Sequence, residues 1–383
     1  NVSLKQNAFA FYSKEELFAY AATDPAWFNA TLSLIALHHD LNIGKGISQE
    51  CLFHRGEALR IVNDRISVSC HVNDATIGAI ASLANFDITN GLFVTATMHI
   101  SGLEQILAAR GGAKESLLFL SHSALLQKVV AWSVSIPSEL SAVLTTDQVR
   151  FKLFDHLGST PRFPLISTLV CTGSLPDFIS LCTPEHSMLN VVSPHDLFGE
   201  MTEIFQALRL LSYYMTLPFI NSEDQTRFSR GLYITEYKLL VLLDQNSEDD
   251  FIPLDRNSHI YGSTRLAAYL YLYMALRELP RATMINYTLA KRLRGILVGN
   301  NADLLIVWKD DLHLLLWISF IGGAATLGTN ERQYFVGILK RLTCSLELDT
   351  LERFRGALKE VLWMKDFCHQ ESAALWKEVY LPE

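Results

Sequence analysis

The chain carries few charges and no concentrated positive patch. Charged residues make up 19% of its 383 residues, against about 25% in an average soluble domain. Hydrophobic residues make up 49%, which excludes a disordered chain because disorder requires low hydrophobicity. The formal net charge is −8, whereas phosphate binding needs clustered lysine and arginine. We therefore expect no direct contact between this chain and nucleic acid.

Cysteine is sparse and never closely spaced. The six cysteines are Cys51, Cys70, Cys171, Cys182, Cys344 and Cys368, and no two stand closer than Cys171 and Cys182. Structural zinc sites use cysteine pairs separated by about two to four residues. We therefore expect no metal, and we expect the cysteines to behave as small buried hydrophobic residues.

No uncharged apolar run in the sequence is long enough to cross a bilayer. The longest uncharged one, Leu312 to Gly328, contains His313, Gly322 and Gly323 and falls short of the roughly 20 residues that a membrane helix needs. It predicts a buried helix that ends in a glycine turn. The first residues do not follow the basic, apolar and small-residue order of a secretory signal. We expect no membrane contact and a nuclear or cytoplasmic location.

Catalytic signatures are also missing. The sequence has no His-Glu-x-x-His, Gly-x-Ser-x-Gly, phosphate-loop or Gly-x-Gly-x-x-Gly motif, so hydrolase and nucleotide-binding sites of those kinds are not indicated. Asn63 to Ser67 imitates the metal motif of terpene synthases, but His71 occupies the position of the required glutamate. Catalytic residues cannot be assigned, and no cofactor is expected.

What the sequence does contain is a series of helix signals, which predict an all-α fold. Asp24-Pro25 and Asn73-Asp74 each combine a capping residue with a helix start. Gly44 or Gly46 closes the first of these helices, and Ser48 or Gln49 opens the next. Asp349 with Glu352 is expected to start a late amphipathic helix. Further helices are expected around Ile204 to Tyr214, Ile234 to Leu243, Thr264 to Leu276 and Leu304 to Leu316.

Proline interrupts this pattern in residues 157–195. Pro161, Pro164, Pro176, Pro184 and Pro194 lie there among glycine, serine and threonine, which is typical of a connector. We expect one helical domain over 1–383, a bundle-like or solenoid-like body with halves at about 1–156 and 196–383 joined by this long proline-rich connector.

The most informative segment is a helix with polar residues on one face. His99, Leu103, Ile106 and Arg110 recur at helical spacing, and Gly111-Gly112 is expected to end the helix. His99 and Arg110 are candidate ligand-binding residues. The alternative is that Arg110 bonds carbonyls or a carboxylate while His99 is a satisfied core histidine. Trp132 and Trp317 are further ligand-binding candidates, with core packing as the alternative.

Several short segments occur in an order that resembles the helical regulatory region of fungal-specific transcription factors of the zinc-cluster class. They are His54-Arg55-Gly56-Glu57-Ala58, His99-x-x-Gly102-Leu103, Arg110-Gly111-Gly112 followed by Trp132, Pro161-Arg162-Phe163-Pro164, and Leu316 to Ala325 followed by Glu331-Arg332. The resemblance runs from about Glu15 to Val379. Val134 stands where many relatives carry an acid, and the zinc-cluster cysteines are not found.

The resemblance implies a regulatory domain that binds a small apolar metabolite or a partner protein, and we expect its role to be in secondary metabolism. The alternative is an enzyme on the same fold, an isomerase or cyclase acting on an apolar intermediate through shape and one or two hydrogen bonds. A scaffold or homodimer is a third interpretation. These three stay open at the level of the sequence.

Overall fold

A computed structural model describes residues 18–19, 21–68, 72–110, 199–217, 227–228, 231–236, 238–239, 256–298 and 303–380. Every regular element in these ranges is a helix, which confirms the all-α prediction. None of these helices has the length and apolarity that a bilayer crossing requires. The connector expected at 157–195 and Trp132 lie outside the described ranges.

The chain divides into two compact units. Unit 1 comprises Asn1–Thr172, Leu240–Gln245 and Thr283–Ile285, and unit 2 comprises Gly173–Leu239, Asn246–Ala282 and Asn286–Glu383. Whether residues 1–383 form a single domain, as expected from the sequence, stays a prediction.

Unit 1 contains four described helices. They are α1 (Pro25–Asn42), α2 (Gln49–Val68), α3 (Asp74–Thr89) and α4 (Phe93–Ala109). The Asp24 side chain accepts hydrogen bonds from the Ala26 and Trp27 amides, and the Asn73 side chain accepts one from the Thr76 amide. Both predicted caps are thereby confirmed. Gly44, with φ +66°, follows the end of α1 as expected.

Helix α3 is the core of unit 1. It packs against α1 and against α4, and every residue from Thr76 to Thr89 is buried. The burial extends beyond the apolar residues Ile77, Ile80, Ala81 and Ala84, since polar residues such as Ser82 and Asn85 are buried too. Small residues allow it: a Cβ added to Gly78 would lie 2.7 Å from Trp27 Cε2.

Unit 2 has a larger set of described helices. They are α5 (Gly199–Thr216), α6 (Arg256–Tyr271) with a π-helical continuation (Leu272–Leu276), α7 (Met284–Val298, within unit 2 from Asn286), α8 (Leu304–Val307), α9 (Leu312–Ala325), α10 (Arg332–Ser345), α11 (Leu351–Val361) and α12 (Lys365–Tyr380). Residues 231–236 and 238–239 are also helical.

Helix α9 is the core of unit 2. It packs against α6, α10, α11 and α12, and Leu314 to Ala325 are all buried. This confirms the predicted buried apolar helix, and Gly328 adopts φ +76° in the turn that follows. A Cβ added to Gly322 would lie 2.3 Å from Phe335 Cε1. Glycine at this position therefore sets how closely α9 and α10 approach.

Three details of the sequence interpretation are wrong. The helix expected over Leu304 to Leu316 is two helices, because α8 ends at Val307 and α9 starts at Leu312 after Asp311; aspartate favours such a start over a helix interior. The N-cap of α11 is Thr350 rather than Asp349. Cys344 is exposed, although Cys51 and Cys368 are buried as expected.

Candidate functional site

Three helices of unit 1 bring polar side chains together around Asp87. The Arg55 guanidinium donates to Asp87 Oδ1 through Nη2 at 2.8 Å and through Nε at 3.2 Å. His99 Nε2 lies 3.4 Å from Asp87 Oδ2. That contact does not meet hydrogen-bond geometry, so Oδ2 has no hydrogen-bond partner within the described part of the chain. We call Arg55, Asp87 and His99 the Asp87 cluster.

The three residues of the Asp87 cluster are buried to different extents. The side chain of Asp87 is 0% exposed, whereas Arg55 and His99 keep 19% and 17% of their side-chain surface. The Arg55 guanidinium also lies 5.3 Å from the Phe86 ring centroid. A buried carboxylate is tolerated only when it is paired, and Arg55 provides that pairing. The remaining oxygen can accept one further hydrogen bond.

Arg110 lies in a different contact at the end of α4. Its Nη1 lies 2.6 Å from Asp74 Oδ1, and its Nη2 donates to the Val72 carbonyl. Arg110 is also the C-terminal cap residue of α4, whereas Asp74 is the first residue of α3. Arg110 thus contacts one carboxylate and one backbone carbonyl, which is the structural alternative to ligand binding given above. A role for Arg110 in ligand binding stays a prediction.

Trp317 belongs to the core of unit 2. Its side chain is 0% exposed, and its indole Nε1 donates to the Leu362 carbonyl at 3.0 Å. The Phe205 and Tyr271 rings lie at centroid distances of 5.5 and 5.8 Å. The structure thus places His99 and Arg110 on α4 of unit 1 and Trp317 on α9 of unit 2. Ligand binding by Trp317 likewise stays a prediction.

Sequence reasoning missed Arg55 and Asp87 as site residues. Asp87 follows the apolar stretch Ile77 to Phe86, and an acid at the end of a fully buried helix must have a partner. The sequence was therefore sufficient to predict that Asp87 has a polar partner. It could not show that the partner is Arg55, which is 32 residues away in the sequence.

Unit 2 contains a second buried polar cluster that the sequence did not indicate. Arg277 Nη2 donates to Glu236 Oε2, and both side chains are 1% exposed. Nearby, the Tyr269 and Tyr273 hydroxyls share a hydrogen bond of 2.9 Å. Burial raises the pKa of Tyr273 well above its usual range, and the neighbouring Tyr269 hydroxyl and Glu236 raise it further. Tyr273 is therefore a neutral phenol at physiological pH.

Neither metal chemistry nor thiol chemistry is indicated in the described ranges. They contain no group of three histidine, cysteine, aspartate or glutamate side chains placed to hold a metal ion. Burial raises the pKa of Cys51 to about 11 and that of Cys368 to about 12. Both thiols therefore stay protonated at neutral pH and are poor nucleophiles.

A model of the fungal specific transcription factor domain matches residues 6–381. The chain belongs to this family. Comparison with curated proteins and with solved structures gave no match. Family membership confirms the resemblance found in the sequence, and it supports a regulatory role.

The segments that carry the family resemblance have identifiable structural tasks. Arg55 and His99 come from two of them and meet at Asp87. The segment from Leu316 to Ala325 forms most of α9. Arg332, from the following family segment, donates to the Gly323 carbonyl at 2.6 Å and forms an ion pair with Glu378. In each unit, residues of these family segments therefore contribute to the contacts between helices.

Proposed function

We propose that this chain is the effector-binding regulatory domain of a fungal transcription-factor-like protein, and that the Asp87 cluster is the polar end of its effector site. Membership of the fungal specific transcription factor family supports the regulatory role. The observation that carries the effector part is the wholly buried Asp87, whose Oδ2 accepts no hydrogen bond within the described ranges. A ligand hydroxyl or amine would supply that bond.

The surroundings favour a mostly apolar effector. Leu83, one helical turn before Asp87, and Phe86, whose ring lies beside Arg55, are 0% and 1% exposed. Small-molecule sites in proteins combine apolar walls with a few placed polar groups. Arg55 and His99 are partly exposed, so a ligand group would approach Asp87 along them. An apolar metabolite with one donor group fits this description, in line with a role in secondary metabolism.

The proposal assigns DNA contact to another part of the regulator. The net charge of −8 disfavours a phosphate-binding surface on this chain. The effector would act by changing the stability or partner binding of the helical units, a response that requires different affinities for two states. We expect the protein to act in the nucleus.

The enzyme alternative uses the same cluster differently. An isomerase or cyclase would employ His99 or Asp87 as a proton carrier rather than as a fixed hydrogen-bond partner. The difference lies in the fate of the small molecule. A regulator releases its effector unchanged, whereas an enzyme releases a product.

Incubation of the purified chain with an apolar extract of fungal culture tests the proposal. Mass spectrometry identifies the compounds of the extract before incubation and the compounds that the protein has retained afterwards. We expect a compound that is retained and recovered unchanged, with less retention by His99→Ala, because His99 Nε2 lies beside the oxygen of Asp87 that would accept the ligand's hydrogen bond. Arg60→Ala is the matched control, since Arg60 lies on the exposed side of α2 with 58% side-chain exposure.

Three outcomes contradict the proposal. A new product that depends on His99 would favour the enzyme. Retention that is equal in wild type and in His99→Ala would place the effector site elsewhere. Retention of nothing by the folded wild type would remove the small-molecule effector altogether.

A further inference from the structure

The π-helical turn at Leu272–Leu276 ends the helix that starts with α6. The Arg277 amide donates to the Leu272 carbonyl, five residues back, at 2.9 Å. The Leu279 amide donates to the Tyr273 carbonyl at 3.0 Å. Such turns hold one residue more than an α-helical turn and are frequent at functional sites. All five residues of this turn are buried.

The backbone directly after the turn is strained. Glu278 has φ 50°, a left-handed conformation that costs energy for a residue with a Cβ and is usually taken by glycine. The π register and the left-handed glutamate both cost free energy. The Leu279–Tyr273 hydrogen bond caps the helix end and offsets part of that cost, and contacts of the neighbouring side chains can offset more.

The buried pair of Glu236 and Arg277 is placed to provide that compensation. Arg277 is the first residue after the π turn, and Nη2 donates to Glu236 Oε2 on helical segment 231–236. Both side chains are 1% exposed. Loss of one partner from such a pair leaves an uncompensated buried charge, which is strongly unfavourable.

A change of register would break this pair. Conversion of the π turn to an α turn removes one residue from the turn, so the residues that follow rotate by about 100° and shift by about 1.5 Å along the axis. The Arg277 guanidinium would then turn away from Glu236. The π register and the ion pair therefore stabilise each other, while the backbone strain opposes both.

We propose that the turn Leu272–Leu276 is a two-register element that the buried Glu236–Arg277 pair holds in the π register. This inference concerns unit 2 alone and is independent of the effector proposal. A pair of charges in a core stabilises less than apolar residues of similar volume, and fixing a register is the best-attested use of such groups.

The test is a crystal structure of the full chain carrying Glu236→Leu together with Arg277→Met. Joint replacement of both charges by apolar side chains is often neutral or stabilising, so this variant is expected to fold. In it we expect the amide of position 277 to bond to the Tyr273 carbonyl, which marks an α register. Thr264→Val, which removes a buried hydroxyl of α6 about two helical turns before the π turn, is the control and should keep the π register. A π turn that persists in the double variant overturns the proposal.

If the double variant does not fold, hydrogen exchange on the wild-type chain tests whether the turn Leu272–Leu276 has two registers. A two-register turn opens without global unfolding, so its amides exchange faster than those of stable helix interiors. We expect peptides covering 272–277 to exchange at least about tenfold faster than peptides covering 262–270 of α6. Equal protection of the two segments would contradict the two-register element.

Discussion

Replacement of Gly322 by alanine tests whether glycine sets the approach of α9 to α10. The added Cβ would lie 2.3, 2.6 and 2.7 Å from Phe335 Cε1, Cζ and Cδ1. Relief would require the ring to move by about 1 Å, and closely packed interiors resist such shifts. The Phe335 side chain is 0% exposed, so free space at the surface cannot take up the movement.

The expected magnitude follows from two opposing effects. Overpacking a core costs about 1–3 kcal/mol, whereas glycine to alanine within a helix gains about 0.5–1 kcal/mol. We therefore expect Gly322→Ala to lower the free energy of unfolding by about 1 kcal/mol, within a range of about 0–2.5 kcal/mol. Urea unfolding followed by circular dichroism measures this as a lower midpoint with an unchanged slope.

Two variants sharpen this test. Gly337→Ala lies on the same helix as Phe335 but has nothing within 4 Å of the added Cβ, so it should gain about 0.5–1 kcal/mol. Gly322→Ala combined with Phe335→Leu should cost less than the sum of the two single variants, because the smaller side chain relieves the clash. If Gly322→Ala is as stable as Gly337→Ala, the packing argument is refuted.

Three further predictions concern packing, protonation and thiol reactivity. Gly78→Ala should destabilise unit 1 by about 0–2.5 kcal/mol, the cost of overpacking less the gain from alanine in a helix, because its Cβ would lie 2.7 Å from Trp27 Cε2; urea unfolding measures this. Burial raises the pKa of Glu371 above 4.5, so wild type should lose stability relative to Glu371→Gln as pH rises from 4 to 7, and a constant difference in urea midpoint would contradict this. Peptide mapping after treatment with a thiol reagent should show Cys344 modified well before Cys51, whose pKa is about 11; equal rates would contradict the burial of Cys51.

Local signals in the sequence were sufficient to predict helix starts. Asp24 and Asn73 cap α1 and α3 through side-chain bonds to amides two or three residues away. Such bonds form within one turn, so the residue types and their order determine them. The apolar segment of α9 was predictable for a related reason, since its composition demands burial on all sides.

Contacts that are distant in sequence were not predictable. Arg55 and Asp87 are 32 residues apart, and Glu236 and Arg277 are 41 apart. Which charge finds which partner depends on helix packing, and a helical pattern fixes only which face is buried. The same limit applies to Arg110, whose spacing placed it on a face with His99 but whose partners are Val72 and Asp74 at the start of α3.

The central claim is that this chain is an effector-responsive regulatory domain. The most direct measurement fuses it to a heterologous DNA-binding domain and records reporter transcription in a fungal host, with and without the apolar extract. We expect the fused chain to change transcription relative to the DNA-binding domain alone, and we expect the extract response to disappear in His99→Ala at equal protein level. Transcription that matches the DNA-binding domain alone under both conditions would contradict the claim.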